Sequence, residues 1–279
     1  MKHITIIGCG LIGGSFAELV KKHSPKITIC GIGRRKEPLE NAKKKSMIDT
    51  YETSITDHSF ESTDMVIIAT PISTVLTTIE TLTKKVKKQL TIVDFSSVKS
   101  FLNHSIVNNS HHTIIAAHPM GGLDVQGLEH ASASILESCP MIMFNQNKNI
   151  ETFFTKLSFN IISCSSYDIH DEWMCEISHG PYLIASFLPS ILSNKSKKHL
   201  ENLSRISAGG FKDTTRVCNS PIEWGLDIIQ ANQHNVLNLL DELSNKITEF
   251  RNIIQTNNTK ELKERLTKAK ETRSNIVDG

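Results

Sequence analysis

HITIIGCGLIGGSFAELVKK (residues 3–22) decides the fold class. The β-branched run Ile4 to Ile7 reads as a short strand. Gly8, Gly10 and Gly13 then form G-x-G-x-x-G, and Ser15 to Lys22 repeats apolar residues at helical spacing. Strand before and helix after are the setting that this motif demands of a dinucleotide site. Gly8 permits the tight turn, Gly10 lets a pyrophosphate approach the backbone, and Gly13 lets helix and strand pack closely. The helix start offers the N–H groups of Leu11 and Ile12 and a positive dipole end to phosphate.

Residues 27–32 form a second β-branched strand that ends in Gly33-Arg34-Arg35-Lys36. An acidic residue at that strand end hydrogen-bonds a ribose 2′-hydroxyl. Glycine instead leaves room for a 2′-phosphate, and Arg34 and Arg35 supply guanidinium forks for it. The pattern predicts NADP over NAD, with a solvated basic turn as the competing reading. A third buried strand, 64–69, ends in Thr70-Pro71, placed to border the nicotinamide end of the cofactor. Strands follow at 91–93, 114–117, 141–144 and 160–163, with helices at about 73–88 and 150–157. This alternation predicts a parallel sheet. Ligands of such sheets bind beyond the carboxyl ends of the strands. The strand ends at 93 and 117 therefore bring Ser97 and His118 to one crevice.

After residue 166 the pattern becomes helical, over about 169–192, 196–207, 221–255 and 259–274. The run Val236, Leu239, Leu240, Leu243, Ile247, Phe250, Ile254 is apolar at spacings of three and four, which predicts pairing with a second subunit. The predicted fold is α/β: a Rossmann-type dinucleotide-binding domain over 1–165, then an all-helical substrate and dimerisation domain over 166–279.

The bulk numbers narrow the function. The 279 residues carry a net charge of +2, with 22% charged and 39% hydrophobic residues. That balance gives no argument for nucleic acid or a membrane as partner. The six cysteines form no CxxC pair or zinc-ligand spacing. The N-terminus reaches glycines too soon for a signal peptide. No apolar run approaches the ~18 residues of a membrane span. A cytoplasmic protein is expected. Asp168, Asp171 and Glu172 read as acids at a helix N-terminus rather than a metal site, and no metal is expected. His111 and His112 sit in a polar loop and are expected to be exposed.

GCGLIGGS (8–15), ATPIST (69–74), DFSSVKS (94–100), HPMGGLDVQG (118–127), HDEWMCEISHGP (170–181) and GFKDTTR (210–216) together resemble the prephenate/arogenate dehydrogenase family of tyrosine biosynthesis. The resemblance implies oxidative decarboxylation of a cyclohexadienol. The C4 hydrogen leaves as hydride to nicotinamide, CO2 departs and the ring becomes a phenol. Prephenate would give 4-hydroxyphenylpyruvate, and arogenate would give tyrosine. It implies His118 as the base for the C4 hydroxyl proton, a task suited to a neutral imidazole. Asp124 would orient or polarise His118, and Ser97 would bond the same hydroxyl or the nicotinamide region. Arg216, Lys212 and His179 would serve the substrate, with Asp213 holding their surroundings in register. Lys99 would be structural or near the cofactor, and the pair His170-Asp171 structural or interdomain. A homodimer is implied. Three departures stand out: Ser96 where the family usually has glycine, Lys212 where it has arginine, and SHGPY with Tyr182 where it has SHLPH. The alternatives are a β-hydroxyacid-type dehydrogenase, which would rely on a lysine that no motif here supplies, and a non-catalytic NAD(P)-binding regulatory protein.

Overall fold

The structure, a computed structural model, describes residues 1–144 and 147–278. The first half of the chain alternates strand and helix: β1 (His3–Ile7), α1 (Leu11–His23), β2 (Thr28–Ile32), α2 (Lys36–Lys44), β3 (Thr50–Glu52), β4 (Met65–Ile68), α3 (Ile72–Lys85), β5 (Thr91–Asp94), α4 (Ser105–Asn108), β6 (Thr113–Pro119), β7 (Pro140–Met143), α5 (Lys148–Lys156) and β8 (Asn160–Ser163). Helices follow: α6 (Tyr167–Met174), a π-turn over Cys175–His179, α7 (Gly180–Leu192), α8 (Lys197–Ile206), α9 (Gly209–Thr215), α10 (Ile222–Ala231), α11 (Gln233–Gln255) and α12 (Thr259–Val277). Residues Met1–Gln233 form one compact unit and His234–Gly279 a second.

The eight strands form one sheet in the order β3-β2-β1-β4-β5-β6-β7-β8. Side chains alternate between its faces with period two. Ile4, Ile6, Met65, Ile67, Val93, Ile115 and Met141 join one core layer with Phe16 and Leu19 of α1, Leu39 of α2 and Phe154 of α5. Ile7, Val66, Ile68, Ile92, Ala116 and Ile142 join the other, with Val75, Ile79 and Leu82 of α3 and Met174 of α6. The same parity assigns Asp94 and His118 to the second face, toward α3 and α6.

The structure corrects four expectations. The sheet is not parallel throughout, because β7 runs antiparallel to β6 with His118 opposite Ile142. Residues 120–139 hold only two single 3-10 turns (Leu128–His130 and Ala133–Ile135), without the helix that usually carries a chain back along the sheet for a parallel return. A short edge strand, β3, adds to the expected set and pairs with β2. The helix expected over 221–255 breaks at Asn232, where α10 is capped by the Asn232 N–H donating to Ile228 O. His112, expected to be exposed, is buried, and its Nδ1 accepts from the Leu90 N–H at 3.3 Å.

The second unit is a helical pair. The chain turns through Asn257, whose φ of 52° is left-handed. Asn258 caps α12 by accepting from Glu261 N at 3.2 Å, and Arg265 of α12 pairs with Glu249 of α11 at 2.5 Å. Leu237, Ile247, Ile254, Leu266 and Ile276 stay exposed. Among the described residues no helix is long and apolar enough to cross a membrane.

Candidate active site

The cofactor cradle is built by backbone. Gly8 has φ +96°, and a Cβ there would lie 2.7 Å from Ala69 O. Only glycine fits a left-handed turn pressed against the neighbouring strand end. A Cβ on Gly13 would lie 2.1 Å from Gly8 O, whereas a Cβ on Gly10 would meet nothing within 4 Å. Gly13 is thus a packing glycine, and Gly10 faces open space. Helix α1 starts at Leu11 and Ile12 with Gly10 as N-cap, no capping side chain and no acid in its first turn. Its first N–H groups and its dipole are left for an anion. Thr70 Oγ1 at the end of β4 is buried without a hydrogen-bond partner among the described residues, and Pro71 N-caps α3. These features fit a dinucleotide.

A cavity of about 400 Å³ opens beside this cradle, lined in part by Gly10, Gly33, Arg34 and Arg35. A Cβ on Gly33 would meet only the Leu39 side chain, at an ordinary contact distance of 3.6 Å. Arg34 and Arg35 are exposed and, among the described residues, form no ion pair. The acid next in register is Glu52 of β3, opposite Ile32. Its carboxylate is taken by the Ser59 hydroxyl.

At the ends of β5 and β6 lies a buried polar cluster. Lys99 is fully buried, and its Nζ donates to Asp94 O at 3.0 Å and to the Asp94 carboxylate. Ser96 Oγ lies 2.6 Å from Asp94 Oδ2 and 3.0 Å from Val98 O. The departure at residue 96 therefore ties the β5 turn to Asp94. Ser97, half-buried, follows directly.

His118 is the penultimate residue of β6 and is buried. Its Nδ1 lies 3.0 Å from His170 Nε2 on α6. His170 Nδ1 lies 2.7 Å from Asp171 Oδ1. Asp171 also accepts from Lys99 N and Ser100 N, both at 2.8 Å. Burial pushes the His118 pKa well below the ordinary imidazole value, helped by His170, Lys99 and His179 nearby. Burial lowers His170 as well. Burial alone would raise Asp171, but the bonds from His170 and the two backbone N–H groups bring its carboxyl below the usual range. His118 is thus neutral near pH 7, the form a general base requires.

Asp124, the partner expected for His118, sits half-buried on a bend beyond β6. Among the described residues no hydrogen bond joins it to His118, whose Nδ1 is occupied by His170 instead. The pair His170-Asp171, expected to be structural or interdomain, stands directly behind the imidazole. The sequence carries a signal for this: Tyr167, His170, Asp171 and Met174 share one helical face, so the acid points inward with apolar neighbours. Asn232 carries no such signal. Its Nδ2 lies 2.6 Å from Asp171 O and 3.1 Å from His179 Nδ1.

His179, in the π-turn before α7, is fully buried, and burial lowers its pKa to about 4. Its Nε2 has no hydrogen-bond partner among the described residues. Tyr182, one turn on, is buried and stacks edge-on with Trp224 at 5.4 Å. Arg216 starts the 3-10 turn after α9, and Lys212 and Asp213 lie on α9; all three are exposed. Among the described residues no group of three or more His, Cys, Asp or Glu could hold a metal ion.

Comparison with known proteins agrees with this fold. Residues 16–158 match the family model "Prephenate dehydrogenase, nucleotide-binding domain", and residues 166–268 match "Prephenate dehydrogenase, dimerization domain". The chain is 28% identical over 261 residues to cyclohexadienyl dehydrogenase of Zymomonas mobilis, covering 91% of this chain and 88% of that protein. It is 29% identical over 261 residues to prephenate dehydrogenase of Lactococcus lactis, covering 89% and 72%. Prephenate dehydrogenase of Aquifex aeolicus, solved in complex with hydroxyphenyl propionate and NAD+, superposes with a TM-score of 0.88. That match has 26% identity and covers 99% of this chain and 98% of that one. With both halves of the chain matched, this protein belongs to the prephenate/arogenate dehydrogenase family.

Proposed function

We propose that the protein oxidises and decarboxylates prephenate or arogenate, with NADP preferred over NAD. The observation that carries the reading is His118, a buried neutral imidazole at the end of β6 with its Nδ1 anchored. The bound nicotinamide supplies the hydride acceptor. The chain supplies the rest. His118 Nε2 accepts the C4 hydroxyl proton as carbonyl character develops at that carbon. Ser97 bonds the same hydroxyl and orients it. Arg216 holds a substrate carboxylate with its fork, and Lys212 adds positive charge beside it. His179 lines the pocket. Leu11 and Ile12 give N–H groups to the pyrophosphate over Gly8, Gly10 and Gly13, with Thr70 and Pro71 at the nicotinamide end.

The absence of an acid at the end of β2, with Arg34 and Arg35 beside Gly33, supports NADP. The match to a dimerization domain, together with exposed Ile184, Phe187, Leu188 and Ile191 on α7, supports a homodimer. The test is absorbance at 340 nm with each pairing of NADP or NAD and prephenate or arogenate. Reduced cofactor is expected with at least one substrate, faster with NADP. None with either substrate overturns the reading.

A further inference from the structure

Asp171 touches the groups behind two buried imidazoles. Its carboxylate reaches His170, which reaches His118. Its backbone oxygen reaches Asn232, which reaches His179. Each link has a direction that elementary chemistry dictates.

The first branch starts at an ionised carboxylate, which only accepts. His170 Nδ1 therefore carries the proton at the 2.7 Å contact with Asp171. A neutral imidazole with a protonated Nδ1 has a bare Nε2. That bare nitrogen faces His118 Nδ1 at 3.0 Å, so His118 Nδ1 is the donor. Neutral His118 is then left with a lone pair on Nε2.

The second branch starts at a backbone carbonyl, which also only accepts. The Asn232 atom 2.6 Å from Asp171 O is therefore its amino nitrogen, Nδ2. An amino group only donates, so His179 Nδ1, 3.1 Å from the same nitrogen, accepts. Neutral His179 must carry its proton on Nε2. That N–H is buried and has no partner among the described residues. An unpaired buried donor is costly unless something else accepts from it.

We propose that Asp171, with His170 and Asn232, is a positioning residue that sets the two imidazoles to opposite polarity: His118 presents a bare Nε2 and His179 an Nε2–H. The first takes the substrate hydroxyl proton, and the second donates to an oxygen of the bound substrate. When the proton reaches His118 Nε2, the imidazolium keeps its Nδ1–H bond to His170, and the Asp171 carboxylate stabilises the positive charge two hydrogen bonds away. The catalytic part of this proposal rests on the dehydrogenase reading above, while the polarity itself does not.

The experiment reads the polarity first. Histidine labelled with ¹⁵N is incorporated into the full-length protein, and imidazole nitrogen shifts are recorded near neutral pH. Signals are assigned by their loss in His118→Asn and His179→Asn. His118 should show a protonated Nδ1 and a bare Nε2, the rarer form of a free imidazole, and His179 the reverse. A protonated Nε2 on His118, or a bare Nε2 on His179, overturns the proposal whatever the activity. Asp171→Ala then removes the acceptor that holds the proton on His170 Nδ1. It should release the His118 signal from its single tautomer and lower kcat by roughly 10²-fold or more with little change in KM. Asn232→Ala should release the His179 tautomer and raise substrate KM more than it lowers kcat. A His118 signal unchanged in Asp171→Ala, or an unchanged kcat with that tautomer released, also overturns the proposed role. The wild-type spectrum decides the polarity even if Asp171→Ala fails to fold, and absent turnover in wild type would instead sink the dehydrogenase reading.

Discussion

Lys99 and Asp94 form an ion pair with both side chains fully buried, at the end of the strand that leads to Ser97. The other contacts of Lys99 Nζ are also internal: Asp94 O at 3.0 Å and Ser96 Oγ at 3.3 Å. Burial lowers the lysine pKa, and the adjacent carboxylate opposes that shift. Removing one partner leaves an uncompensated buried charge, at a cost of about 3–5 kcal/mol. Lys99→Met should therefore lower the urea midpoint strongly, and Lys99→Met with Asp94→Leu should recover much of the loss. Equal stability of the single and double variants would show that the pair is not coupled.

His118 and Arg216 should separate in kinetics. His118→Asn removes the proposed base and should cut kcat by roughly 10²–10⁴-fold with KM nearly unchanged. Arg216→Ala removes a proposed carboxylate contact worth about 1.5–3 kcal/mol and should mainly raise KM, by roughly 10–100-fold. Steady-state kinetics with both substrates checks this. An intact kcat in His118→Asn refutes the base.

Gly10 and Gly13 belong to one motif but face different surroundings. A methyl on Gly13 would collide with Gly8 O at 2.1 Å, whereas one on Gly10 meets open space. Gly13→Ala should cost about 1–3 kcal/mol or more through overpacking. Gly10→Ala should leave Tm unchanged and weaken cofactor binding by roughly 10-fold, since the methyl occupies the pyrophosphate approach. Thermal melts and cofactor titration distinguish the two.

Cofactor choice should turn on the end of β2. Gly33→Asp combined with Arg34→Gln adds a carboxylate that repels a 2′-phosphate and removes a guanidinium that would hold it. The ratio of kcat/KM for NADP over NAD should fall by roughly 10²-fold. A ratio that does not move counts against NADP preference.

Acid should destabilise the fold through its buried histidines. His179 takes a proton near 6.5 when unfolded and at about 4 when folded. Between those values the unfolded chain binds more protons, so stability is present above 6.5 and is lost as pH falls toward 4. The displacement corresponds to ~3 kcal/mol for this fully buried ring. His118 and His170 are displaced in the same direction. Urea midpoints should be lower at about pH 5 than at about pH 7.5, with a smaller difference in His179→Asn. Equal midpoints in wild type would refute the shift.

Much of the fold is legible in the chain because periodicity is written locally. The β-branched run Ile4 to Ile7 and the helical spacing after Ser15 need only neighbouring residues, and they place β1, α1 and the glycine turn where the structure has them. Edge strand β3 escapes such a reading because Thr50-Tyr51-Glu52 is too short to show a period. The break at Asn232 escapes it because a capped helix end can sit inside an apolar repeat that continues past it.

Local patterning suffices for the strand-turn-helix cradle and for the presence of Ser97 and His118 at two strand ends. Both follow from backbone propensity and from the side-chain alternation that any strand imposes. What stands behind His118 is a matter of packing. His170 is 52 residues away along the chain, and Asp171 meets Lys99 N across 72. Such pairings depend on how the sheet twists and where α6 is laid against it. Neighbouring residues do not encode that path, so Asp124, near in sequence, yields to His170, near in space.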